Sequence, residues 1–228
     1  CNAGPSFVVT AIGSGMLGSS TAGGILLAAH LLSSLLMGAL LSLRSPLPPK
    51  QHVRPVRAPL PEAFIAGVNS ATSGILSICA FVVFFSAFSA LLEDCGPLSG
   101  SGVLRCVLIG LLEVTTGCME AASLPGRWPC LLIPIFISFA GLSILFQIRA
   151  ILAGRSLHFG RFYLCRILHA GMTLAFSCPF LWGMDRTIDV FASQVSPVSC
   201  HTPDTPVTAV LLMLLSAAIL WRATGGEK

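Results

Sequence analysis

Seven apolar stretches dominate the chain, near residues 5–18, 22–43, 63–92, 103–122, 129–152, 161–184 and 206–222. Several reach or pass the ~20 residues that a helix needs to cross the hydrocarbon core of a bilayer. That core offers no water to the backbone, so every N–H and C=O must be paired within its segment, and these runs must be helical. They do not alternate residue by residue as membrane-barrel strands do. Only 10% of the 228 residues are charged, against roughly a quarter in soluble domains, too few to cover the surface of a soluble domain of this size. The expected fold class is an all-α polytopic membrane protein whose first partner is the lipid bilayer.

Charge placement gives a topology. The loop 44–61 carries Arg44, Lys50, Arg54, Arg57 and several prolines, and reads as an extended cytoplasmic connector by the positive-inside rule. The loop 153–160, with Arg155 between Arg149 and Arg161, also reads as cytoplasmic, while Glu93 and Asp94 mark an outer loop. Two apolar segments, 103–122 and 129–152, lie between these loops, and the charges allow only one of them to cross. Segment 103–122 holds Glu113, Thr115, Thr116, Gly117 and Glu120, so it is expected as a re-entrant hairpin buried in protein. Segment 161–184 then runs outward, loop 185–205 with Asp185, Asp189 and Asp204 is outside, and 206–222 returns to a cytoplasmic C-terminus. Segment 62–73 is more polar than the rest of its run and is expected at the interface. The net charge of +4 lies at the ends of the apolar runs, where it sets orientation and does not point to nucleic acid.

Two units share a pattern. Ala3-Gly4-Pro5-Ser6 precedes an apolar run, a short turn and a helix with His30; Ala140-Gly141-Leu142-Ser143 precedes an apolar run, a short turn and a helix with His169. On the charge-derived topology the units run in opposite directions, an inverted-topology repeat with broken helices, as secondary transporters are built. Ala140–Ser143 would lie roughly 16–20 Å into their span at ~1.5 Å per residue, near the midplane. Broken helices there expose N–H groups and positive dipole ends suited to an anionic or carbonyl-bearing solute. The organisation is then 1–43, a truncated first repeat; 44–61, the basic loop; 62–102, the interfacial segment, a spanning helix and the outer loop; 103–184, the second repeat; and 185–228, an outer loop and the last spanning helix. The chain, which begins at Cys1, reads as a piece of a larger protein.

The stretch "CNAGPSFVVTAIGSGMLG" (1–18) resembles the "CN-x-GP-x-F" segment of the YlbJ-type sporulation integral membrane proteins, which carry the nucleoside-recognition gate domain. "GLLEVTTGCMEAA" (110–122) is similar to that family's second re-entrant arm, and "SFAGLSILFQIRAIL" (138–152) and "RFYLCRILHAGM" (161–172) to the helices that follow. The resemblance implies a multi-pass protein of the cell membrane or forespore membrane that moves dipicolinate, a small planar dianion, toward the spore. The family's preceding arm with its "GYP-x-G" motif is absent here.

The candidate solute-binding residues are Asn2, Gly4 and Ser6 at the first break, Glu113, Thr115 and Thr116 in the re-entrant segment, and Gly141, Ser143 and Gln147 at the second break. Each has a plainer alternative: a helix break with close packing, or a carboxyl paired with a neighbouring Arg or with backbone. Glu113 is a candidate for cation or proton coupling or for binding a solute hydroxyl or ring nitrogen; Arg166 is a candidate for neutralising Glu113 or attracting an anion, but is expected to snorkel to the cytoplasmic face; His169 and His30 are candidates for coupling. Glu120 reads as solvated. The nine cysteines show no CxxC pair and read as small packing residues, with a Cys95–Cys200 disulfide left open. No nucleotide, nucleophile–base or metal motif stands out, so neither a cofactor nor catalysis is expected. A homo-oligomer is compatible with the sequence. A non-transporting scaffold for spore assembly and a nucleoside transporter-like protein are the rival readings.

Overall fold

A computed structural model describes residues 2–44, 59–94, 102–152, 159–184 and 206–225. The larger parts of loops 44–61 and 153–160, the loop 185–205, the end of the C-terminus and the Cys95–Cys200 pair lie outside the described residues. A π-helix, Ser6–Met16, leads into α1 (Ser20–Arg44); α2 (Leu60–Asp94), α3 (Gly102–Leu112), α4 (Val114–Ala122), α5 (Trp128–Phe139), α6 (Gly141–Ile151), α7 (Phe159–Gly183) and α8 (Pro206–Gly225) follow. Among the described residues every element is helical. Four stretches are long and apolar enough to cross a membrane: Ser20–Leu43, Leu60–Leu92, Trp128–Ile151 and Phe159–Gly183. Large apolar side chains such as Leu35, Phe64, Leu164 and Leu211 face outward. A soluble monomer rarely exposes so much apolar surface, whereas lipid accepts it.

Trp128–Ile151 spans in two pieces. Ala140 (φ 76°) and Gly141 (φ 67°) both take the left-handed conformation between α5 and α6, which glycine adopts freely and alanine at a cost. Ala140 N–H closes α5 on Phe136 O at 2.8 Å. Segment 103–122 is likewise divided, at Glu113, into the arms α3 and α4. Residues 62–73 belong to one continuous 35-residue helix, α2, and contain no proline that would break it. Residues 6–16 form a π-helix, closed by Leu17 N–H on Ile12 O at 2.9 Å.

Lipid tails are as apolar as leucine, so membrane helices associate through close packing. The π-helix lies on α1, α1 on α7, α7 on α5, and the α3–α4 pair against α5, while α2 packs along α8. Gly13 and Gly23 bring the π-helix and α1 together: a Cβ on Gly13 would stand 2.6 Å from Gly23 Cα. The buried centre gathers Val8, Ile12, Leu26, Cys106, Cys118, Ile133, Phe136, Ile137 and Leu181. Phe85 of α2 stacks on Phe146 of α6, with centroids 6.0 Å apart, joining α2 to this core.

Candidate solute site

The α3–α4 pair is a hairpin whose tip is Glu113. α3 ends there because Glu113 turns extended (φ −139°, ψ 123°), with its N–H still held by Ile109 O at 2.8 Å. Its side chain folds onto the start of α4. Oε1 accepts from Thr115 N–H at 2.9 Å, and Oε2 accepts from Thr116 N–H at 2.6 Å and from Thr116 Oγ1 at 3.0 Å. The first N–H groups of a helix have no partner within it, and here a carboxyl supplies one where negative charge is favoured. Glu113 is only 2% exposed. At the open end of the hairpin, Arg105 pairs with Glu120 at 3.0 Å, so Glu120, expected to be solvated, is ion-paired and half-buried. Between tip and base, Gly117 lies against Gly110, whose backbone a Cβ on Gly117 would strike, and the Cys106 thiol donates to Gly117 O at 3.8 Å. Gly117→Val is expected to prise the arms apart and cost about 1–3 kcal/mol, the usual effect of overpacking, read as a lowered unfolding temperature in detergent.

The second break meets this tip. A Cβ on Gly141 would lie 3.2 Å from Leu112 O and 3.3 Å from Val114 N, tighter than ordinary contact, and its φ of 67° also favours glycine where the two interruptions touch. Arg166 of α7 donates from Nε to Phe139 O at 3.3 Å. That places a cation at the carbonyl end of α5, where the helix dipole is negative. Arg166 is buried, at 6% exposure, and does not snorkel to the membrane face: the interruption at Ala140 leaves an end-of-helix carbonyl within its reach.

Residues 2–4, which lead into the π-helix, are held against α1. Ala3 N–H donates to His30 Nε2 at 3.1 Å, and Asn2 Nδ2 donates to Ser34 Oγ at 3.2 Å. His30 Nδ1 stands 2.9 Å from Ser138 Oγ, and His169 Nε2 donates to His30 O at 3.2 Å. The two imidazoles are 4.8 Å apart between centroids.

A cavity of about 300 Å³ opens where the two interruptions meet the residues before the π-helix, lined by Asn2, Ala3, Gly4, Phe7, Ile78, Val82, Glu113, Val114, Thr115, Ile137, Ala140, Ile144, Gln147 and Arg166. Of the residues singled out from the sequence, Asn2, Gly4, Glu113, Thr115, Gln147 and Arg166 share this wall. Ser6 is exposed away from it. Thr116 is bound to Glu113. Gly141 is set against the hairpin tip, and Ser143 is buried, its hydroxyl 3.4 Å from Gln147 Nε2. His169 is buried beside His30 and does not line the cavity. Sequence reasoning missed the α2 wall, Ile78 and Val82, since nothing in an apolar run marks which residues face a cavity. Among the described residues, no three His, Cys, Asp or Glu side chains stand together as a metal site would require.

Compared with protein-family models, curated proteins and solved structures, the chain has no significant match. The described residues define its class: all-helical, with four stretches long and apolar enough to cross a membrane.

Proposed function

We propose that the chain is the core of a multi-pass transporter or channel-like protein that moves a small polar or anionic solute across its membrane. The observation that supports this best is the convergence of two interrupted helical segments and the start of the π-helix on one partly open cavity among apolar helices. Neither α6 nor the π-helix has a side chain capping its start, and the positive end of a helix dipole favours an anionic or carbonyl-bearing guest nearby. The α4 terminus is different, since Glu113 already occupies it. Arg166 adds the cation, and Gln147 and Asn2 add amides that can donate or accept.

On this reading the π-helix with α1, and α5–α6 with α7, are the two halves of an inverted repeat. The basic loops 44–61 and 153–160 and the C-terminus are cytoplasmic. The resemblance to YlbJ-type sporulation proteins names the membrane and the cargo: the forespore membrane and a dipicolinate-like dianion. Liposomes holding the purified protein should then release trapped dipicolinate faster than empty ones. Gln147→Leu should slow that release about tenfold, the worth of one hydrogen bond to a charged group.

One observation favours the scaffold alternative: both oxygens of Glu113 serve its own helix. A scaffold would release no dipicolinate in any variant, yet Gln147→Leu would still support spore formation.

A further inference from the structure

We infer that His30 is a positioning residue: a neutral imidazole that pins the residues before the π-helix to the end of α5, beside its break, and so holds the two walls of the cavity in register. The inference rests on the solute-site reading for its functional meaning, although its geometry stands apart from it. Ala3 N–H can only donate, so His30 Nε2, 3.1 Å away, must be an unprotonated acceptor. In a neutral imidazole the proton is then on Nδ1, which donates to Ser138 Oγ at 2.9 Å. The backbone carbonyl of the same residue can only accept, and it takes Nε2–H of His169 at 3.2 Å.

One fully buried residue of α1 thereby ties down the arm before the π-helix, the last turn of α5 and the middle of α7. Both anchored ends matter to the cavity. Ala3 lines it, and Ser138 lies two residues before Ala140, which also lines it. A proton added to Nε2 would remove the only lone pair that can receive Ala3 N–H. His30 therefore holds position by staying neutral, and is not the proton-coupling group that an intramembrane histidine suggests. His169 supports it through the backbone.

Two measurements on the full chain in lipid nanodiscs test this, and neither needs a solute. With ¹⁵N-labelled histidine at neutral pH, His30 should show a single neutral form with Nδ1 protonated and Nε2 bare. A protonated Nε2, in either the neutral or the charged ring, overturns the inference. For the second, Gly4→Cys provides a reporter, since a Cβ at Gly4 meets nothing within 4 Å. Its rate of reaction with a small methanethiosulfonate, resolved from the native cysteines by peptide mass spectrometry, reports whether the arm is held. Adding His30→Leu should raise that rate about tenfold, as one buried hydrogen bond is lost. His30→Gln, which can both accept and donate, should restore the parental rate. The inference fails if His30→Gln reacts as fast as His30→Leu, or if His30→Leu leaves the rate unchanged. Should His30→Leu not fold, Ser138→Ala takes its place, with a raised rate expected and an unchanged rate counting against. If these results hold while liposomes show no dipicolinate release, the transport reading fails and the role of His30 stands.

Discussion

Glu113→Ala should be the most damaging single substitution in the described part of the chain. Its carboxyl satisfies two backbone N–H groups and one hydroxyl at the start of α4, almost out of reach of solvent. Removing it strands three donors, and each buried unsatisfied polar group costs about 1–3 kcal/mol. Roughly 3 kcal/mol or more is a large fraction of the stability of an ordinary domain. Glu113→Gln keeps one acceptor oxygen and should lose clearly less. The check is thermal unfolding of the detergent-solubilised protein, with Ala well below Gln and Gln below the parent. If Glu113 served only a solute, Ala would leave the unfolding temperature in place and slow transport alone.

Arg166→Leu has the second largest expected effect, and on transport. The guanidinium lines the cavity and is held against Phe139 O at the interruption. An anionic guest would meet a cation there, shielded from water, and a charge-assisted hydrogen bond is worth about 1.5–3 kcal/mol. Dipicolinate release should therefore fall about ten- to a hundredfold. Arg166→Lys keeps the charge but not the planar fork, and should fall between. The fold should tolerate the change better than it tolerates Glu113→Ala. Its losses include the hydrogen bond to Phe139 O and the cation at the carbonyl end of α5, the latter typically ~0.3–1 kcal/mol and up to ~2 when partly buried. Release rates and unfolding temperatures measured side by side separate the two residues: Glu113 moves stability first, Arg166 moves flux first.

Parts of this arrangement were legible in the sequence. Apolar length announced the helices, and Ala140-Gly141 announced an interruption because glycine readily takes a positive φ. The polar cluster Glu113-Thr115-Thr116 announced a segment unsuited to lipid. The role of Glu113 was harder to read, because aspartate, asparagine, serine and threonine are the usual N-caps and a glutamate draws attention as a ligand. Arg166 misled through its position near a helix end: depth in sequence does not reveal that a neighbouring helix breaks beside it. The Arg105–Glu120 pair and the His30–Ser138 bond join residues far apart in the chain, which no periodicity encodes. The π-helix escaped for a related reason, since 6–16 carries the same apolar residues an α-helix would.

Gly4 offers the most direct test of the claim that the converging interruptions form a solute path. It lines the cavity, and a Cβ there meets nothing within 4 Å, so the backbone has room for Gly4→Trp, whose indole is expected to obstruct the cavity. Dipicolinate release from liposomes is the measurement, with the unfolding temperature as control. Release falling to the level of empty liposomes at an unchanged unfolding temperature is the predicted result. Parental release with tryptophan in place would contradict the account, because the solute would then be travelling elsewhere.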